Sequence, residues 1–140
     1  SVALRRDNPL ASVLEFDFFN TPDLLPAVAV TCAALGVEGR FTGVKHLRFK
    51  ESNRLESIAE GLAKLGRQVV VEEDSMTIPA GEPFTRESLA NVGVIDSHDD
   101  HRIAMAFGAL KVINPSLEVS NPDCVNKSFP DFWKMLQRLQ

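Results

Sequence analysis

Apolar and polar residues alternate over Val13-Leu14-Glu15-Phe16-Asp17-Phe18, the two-residue period of a half-buried strand. Asn20-Thr21-Pro22-Asp23 follows, and its cap residue, proline and early acid open a helix running through Leu24 to about Leu35. That segment is apolar nearly all round, which predicts a core helix buried on most sides and stopped by Gly36. Gly39 to Val44 reads as a second strand, followed by a loop that delivers Lys50. The next helix carries Leu55, Ile58, Ala59, Leu62 and Leu65 on one stripe, with Glu56, Glu60 and Lys64 opposite, and ends at Gly66. Gln68–Glu72 and Ser75–Pro79 read as two strands joined by an acidic turn, and Gly81 to Asn91 as a surface loop with a helical turn near Glu87 to Leu89.

The pattern then begins again. A shift of 77 positions pairs Asp23 with Asp100, Ala27 with Ala104, Ala29 with Ala106, Lys50 with Lys127 and Leu62 with Leu139, without a gap. Apolar positions follow the same shift, Val28 onto Met105 and Leu55 onto Phe132 among them. The implied unit is strand, helix, strand, helix and a two-stranded piece. Its second copy is cut short after a helix over Phe129 to Leu139. The expected fold class is therefore α/β (α+β), built of repeated β-α-β-α-β-β units at about 10–80 and 92–140, with sheets packed around buried helices.

Composition narrows the setting. With 140 residues and 44% hydrophobic content, the chain is long enough for one real core. A net charge of −4 argues against a broad basic surface for nucleic acid. Cys32 and Cys124 are too few for a disulfide scaffold, so reduced thiols in a cytoplasmic protein are expected. No apolar run approaches a membrane span, and Ser1 to Arg6 has no apolar segment behind it to form a leader.

Against that acidic background, positive charge is concentrated at two helix starts. Lys50-Glu51-Ser52-Asn53-Arg54-Leu55 and Asp99-Asp100-His101-Arg102-Ile103-Ala104-Met105 both place cations in an opening turn, where the helix dipole already makes the environment positive. Cations there gain nothing from the dipole, but with the free N–H groups of a first turn they form a site for phosphate or carboxylate. At the first start the alternative is a solvated Glu51/Arg54 pair. At the second, Asp99 and Asp100 complement the dipole behind Ser97 as N-cap, which leaves Arg102 unexplained. A different chemistry is open as well: His98 and His101, three residues apart, with Asp96, are ligand types for a metal-dependent hydrolase. If the chain is instead a binding module, Lys50, Arg54, Arg102 and Lys127 should scatter over its surface; in an anion-handling enzyme they converge.

Three ordered motifs, Lys50 to Leu55, Asp99 to Ala106 and Asp123-Cys124-Val125-Asn126-Lys127-Ser128-Phe129-Pro130, resemble the C-terminal part of the 5-enolpyruvylshikimate-3-phosphate synthase family. The UDP-N-acetylglucosamine enolpyruvyl transferases share the fold, but the Asp-His-Arg and Lys-Ser-Phe-Pro segments fit the shikimate family better. The resemblance implies the enolpyruvyl transferase fold and transfer of the enolpyruvyl group of phosphoenolpyruvate to the 5-hydroxyl of shikimate 3-phosphate, through a tetrahedral adduct and without metal or organic cofactor. By motif, Asp23 is the base near the shikimate hydroxyl and Glu51 the acid/base group for the methylene proton. Lys50 contacts the shikimate moiety, while Arg54, Arg102 and Lys127, with His101 beside them, clamp phosphoenolpyruvate. His46 replaces an asparagine that contacts the shikimate moiety in some members. Members are longer and have two domains, so the partner implied is the missing N-terminal domain, and the chain alone is expected to be inactive. Uncovered apolar surface would also favour self-association.

Overall fold

The alternating segment forms a strand, but in company the apolar pattern does not announce. In the computed structural model, which describes residues 2–8 and 11–140, β1 (Val2–Asn8) runs antiparallel to β2 (Ala11–Asp17). From β2 the chain passes through a short 3-10 turn, Pro22–Leu24, into α1 (Leu25–Leu35), then returns as β3 (Glu38–Thr42), parallel to β2. A 3-10 segment, Lys45–Phe49, leads to α2 (Arg54–Lys64). The short strands β4 (Val70–Val71) and β5 (Ser75–Ile78) then complete a five-stranded sheet in the order β1-β2-β3-β5-β4.

The remaining residues trace a similar path on a smaller scale. Strand β6 (Val94–Ile95), helix α3 (His101–Gly108) and strand β7 (Glu118–Val119) make a second parallel crossover, with β6 and β7 paired as a separate two-stranded sheet. A 3-10 segment, Pro122–Lys127, and α4 (Phe132–Gln137) follow, in the places where Lys45–Phe49 and α2 follow β3. The molecule is thus α/β, with helices α1, α2 and α3 packed on one another beside the sheets.

One main core joins these layers. Leu25, Ala29, Val30 and Ala33 of α1, Leu55, Ile58 and Leu62 of α2, and Ile103 and Phe107 of α3 meet Phe41, Met76 and Ile78 from the large sheet. Gly61 lets α2 and α3 approach, because a Cβ there would stand 2.3 Å from the Phe107 ring. A satellite cluster of Ala104, Cys124 and Val125, with Phe132 and Trp133 against it, seats the C-terminal segment on α3. Both cysteines are buried free thiols, and burial pushes Cys32 up to about 11.

Several local expectations change. Helix α1 is buried on most sides, but one stripe through Ala27, Thr31 and Leu35 is exposed, as is Leu24 before it. Its entry has no side-chain cap, and the 3-10 turn takes that role. Gly36, at φ 75°, ends it as expected. Lys50 and Glu51 precede α2 rather than opening it, since Asn53 is the N-cap, accepting from the Glu56 amide at 3.3 Å. At α3 the cap is Asp100, not Ser97, whose hydroxyl instead accepts from the Asp99 amide. Helix α4 is shorter than the Phe129 to Leu139 expectation. Among the described residues no helix is long and apolar enough to cross a membrane.

Candidate functional site

The starts of α1, α2 and α3 converge, and Arg54 is where they meet. As the first residue of α2 it lies under the loop that precedes it, only 1% exposed. Its Nε donates to Asp100 Oδ2 at 2.9 Å and its Nη2 to Asp100 Oδ1 at 3.3 Å. Nη1 donates to Asp23 Oδ1 at 3.0 Å and Nη2 also to Glu51 Oε2 at 2.5 Å. Three carboxylates from three separate segments therefore share one guanidinium, whose planar fork of donors suits this arrangement better than an ammonium would. Burial opposes the charge of Arg54, but bonds and charges from Asp100, Glu51 and Asp23 outweigh it and raise its pKa above the ordinary value.

The three acids are not equivalent. Asp100 is wholly buried, while the side chains of Asp23 and Glu51 are 52% and 43% exposed. Burial alone would raise the Asp100 pKa; hydrogen bonds from Arg54 and Ser52, the Arg54 charge and the Arg102 amide overcome it and hold the carboxyl below the usual range. The Ser52 hydroxyl donates to Asp100 Oδ2 at 2.8 Å and itself accepts from Ser57 at 3.1 Å. Asp100 is thus fixed on all sides, whereas Asp23 and Glu51 each keep a face toward solvent.

Arg102 lies on the far side of Asp23, with Nη2 3.7 Å from Asp23 Oδ2. Its Nε is buried without a hydrogen-bond partner among the described residues. Leaving such a donor unsatisfied costs on the order of 1–3 kcal/mol, so it is suited to an incoming acceptor. His101, on the first turn of α3, shares a 2.6 Å hydrogen bond between Nδ1 and the Ser128 hydroxyl, which ties the Lys127-Ser128-Phe129 loop to the site. Lys50, next to Glu51, and Lys127, next to Ser128, are exposed and form no ion pair among the described residues. His46 takes a ring contact from Phe19, edge-on at 6.1 Å between centroids, and is not bonded to the carboxylates. The structure therefore brings Asp23, Glu51, Arg54, Arg102 and His101 to one place, joins Lys50 and Lys127 to it only through their chain neighbours Glu51 and Ser128, and leaves His46 on Phe19.

A single metal site shared by His98 and His101 does not form. His98 and His101 belong to different clusters, His98 with Glu60 and Asp96, and His101 with Glu51 and Asp100. The turn between them explains the separation: His98 and Asp99 both adopt positive φ, 53° and 54°, so the two rings never share a helix face. His98 Nε2 lies 2.6 Å from Glu60 Oε2. A divalent ion between Glu51 and Asp100 would stand beside the buried Arg54 cation.

Ser52 and Ser128 were not singled out by the sequence reading. Neither residue type carries a signal without its partner, and those partners lie 48 and 27 positions away. The sequence marks Asp100 as a complement to the helix dipole and as the counterpart of Asp23, but not as a partner of Arg54.

Known proteins share this arrangement of sequence and fold. The model of the EPSP synthase (3-phosphoshikimate 1-carboxyvinyltransferase) family matches residues 2–136. A 3-phosphoshikimate 1-carboxyvinyltransferase of Dehalococcoides mccartyi is 40% identical over 131 residues, covering 94% of this chain and 29% of that protein. The protein of that name from Methanoculleus marisnigri is 39% identical over 97% of this chain and 30% of its own length, and the one from Bacteroides fragilis 34% over 98% and 33%. The structure of EPSP synthase from Acinetobacter baumannii superposes with a TM-score of 0.65 at 31% identity, over 82% of this chain and 26% of that one. The chain thus spans about a third or less of the length of the curated relatives it matches. With the family model covering nearly every residue and the relatives agreeing over the same span, the chain belongs to the EPSP synthase family.

Proposed function

We propose that this chain is the C-terminal part of a cytoplasmic enzyme that transfers the enolpyruvyl group of phosphoenolpyruvate to the 5-hydroxyl of shikimate 3-phosphate, and that it supplies one wall of the phosphoenolpyruvate site. The observation that carries the reading is the convergence of two proton-capable acids, Asp23 and Glu51, with Arg54, Arg102 and His101 at three helix starts. Repeats at about 10–80 and 92–140 would be the last two of the enzyme, and the remaining repeats and N-terminal domain would form the opposite wall.

The chemistry asks for two proton movements. The hydroxyl of the acceptor must lose its proton as its oxygen bonds to the central carbon of phosphoenolpyruvate, and the methylene carbon must gain one. In the second stage the methyl group so formed returns a proton, the bond from the central carbon to the phosphate ester oxygen breaks, and phosphate leaves with that oxygen and the bonding electron pair. Asp23 is the base for the hydroxyl. Glu51 delivers and recovers the proton at carbon. Both are anchored by Arg54 yet partly exposed, which suits groups that must meet a substrate. Arg54 and Arg102 limit the repulsion between the two carboxylates and an anionic guest. Arg102 offers its unpartnered Nε, and Lys127 and His101 extend the positive edge toward the phosphate or carboxylate. Lys50, next to Glu51 in the chain, contacts the shikimate moiety in this reading. His46, held on Phe19, would lie at the margin of that subsite.

In this structure four of the five Arg54 N–H groups are given to acids. It therefore serves the site by fixing Asp23 and Glu51, and the second Nη1 hydrogen is not engaged by the acids. The reading is tested by phosphate release from phosphoenolpyruvate and shikimate 3-phosphate. The isolated chain should give no turnover, because both substrates need the missing wall for positioning. A chimera in which the chain replaces the matching segment of the Dehalococcoides mccartyi relative should turn over. A folded chimera without activity would refute the assignment.

A further inference from the structure

We infer that Asp100 is a positioning residue for the reaction, acting through Arg54 to hold Asp23 and Glu51 in register, although it has no exposed atom of its own. The inference rests on the proposed roles of those two acids and adds a division of labour between aspartates that the 77-residue shift makes equivalent. Asp23, in the 3-10 turn that leads into α1, and Asp100, the N-cap of α3, both stand at the entry to the helix of a parallel crossover, and both bond the same guanidinium from opposite halves of the chain. One keeps a face to solvent, and the other has none.

The geometry explains why the buried copy directs and the exposed copy responds. Asp100 accepts from Arg54 Nε and Nη2 in a two-point contact, which fixes the plane of the guanidinium as well as its position. With that edge held, one Nη1 hydrogen meets Asp23, and the remaining Nη2 hydrogen is left to Glu51. Asp100 itself cannot swing, because Oδ2 also takes the Ser52 hydroxyl and Oδ1 the Arg102 amide at 2.9 Å. The same carboxylate therefore sets the first turn of α3, from which Arg102 and His101 project. A shift of one guanidinium would displace both proton-moving groups at once, and misplacement by about 1 Å can cost on the order of 10²-fold in rate.

Asp100→Asn separates this role from helix capping, since asparagine is an N-cap as good as aspartate but carries no charge to hold the fork. Two readouts are needed. In the isolated chain, the Arg54 Nε–H resonance should be resolved and slow to exchange with water in the wild type, and fast-exchanging in D100N. In the chimera, D100N should lower kcat by about 10²-fold with KM for both substrates changed by less than about threefold, the mark of a contribution made in the transition state. Ser52→Ala, which removes one bond to Asp100 and leaves the charges in place, should lower kcat by a smaller factor in the same pattern. It decides the matter if D100N fails to fold. A kcat for the folded D100N chimera within about twofold of the parent, or a rise in KM alone, overturns the inference. If the unmodified chimera is inactive the transferase reading fails, and the Arg54 resonance alone then decides whether Asp100 orients the guanidinium.

Discussion

Arg54 and Asp100 form a buried pair in which each residue's charge is tolerable only because of the other. Removing one partner of such a pair costs roughly 3–5 kcal/mol, since it leaves an uncompensated charge in the interior. Arg54→Met should therefore destabilise the chain by about that amount in urea denaturation, although methionine packs well. The pair also sets a pH dependence. The folded-state pKa of Asp100 lies below its unfolded value, so the stability it confers is fully present above the unfolded carboxylate value near about 3.9 and disappears as pH falls through the lower folded value. Between about pH 5 and pH 3, D100N should lose less stability than the parent, and equal slopes for the two proteins would contradict this assignment. The sequence made the residue types legible: cations at helix starts and acids beside them. It could not show that Arg54 spends its donors on Asp23, Glu51 and Asp100, because those partners lie 31, 3 and 46 positions away.

At the scale of elements, the amphipathic stripe of α2 and the glycine stops of α1 were visible in the pattern, and the structure has them where the period placed them. What the pattern missed depends on neighbours. Strand β1 escapes notice because Val2-Ala3-Leu4-Arg5-Arg6 does not alternate, and only pairing with β2 makes it a strand. Thr21 looks like a cap, yet its hydroxyl makes no capping bond, since Pro22–Leu24 turns as a 3-10 segment before α1 begins. Close approach of α2 and α3 was likewise unreadable, and it has a consequence. Gly61→Ala would drive a Cβ into the Phe107 ring, so it should destabilise by roughly 1–3 kcal/mol despite the better helix propensity of alanine. A gain in melting temperature would show that α3 can yield. The segment after β5 is held by backbone bonds from Gly81 to Gly36 and from Phe84 to Ala34 and by one buried cation: Arg67 donates to the carbonyls of Glu82 at 2.6 Å and Pro79 at 3.4 Å and lies 5.3 Å from the Phe84 ring centroid. Burial lowers its pKa, but the carbonyl partners give the guanidinium a structural use. Arg67→Met should release this strap, with faster proteolysis between Ala80 and Arg86 than in the parent.

For the whole molecule, the two crossovers place Asp23 and Asp100 at corresponding points and turn both toward α2. The 77-residue shift predicted that correspondence from apolar positions and a few identities, while only the fold shows the two acids meeting on one arginine. The chain also exposes apolar surface near this region, with Phe49 85% exposed and Phe19 68%. If the missing part of the enzyme covers these rings, the isolated chain should self-associate at high concentration, and Phe49→Ser should reduce the effect in light scattering. The central claim is that Asp23 and Glu51, anchored by Arg54, move protons for an enolpyruvyl transfer. It is tested most directly by kcat for phosphate release in the active chimera, compared with the same chimera carrying Glu51→Gln. An isosteric amide keeps a bond to Arg54 but cannot donate or accept the proton, so kcat should fall by about 10²–10⁴-fold. A kcat unchanged by that substitution would contradict the account.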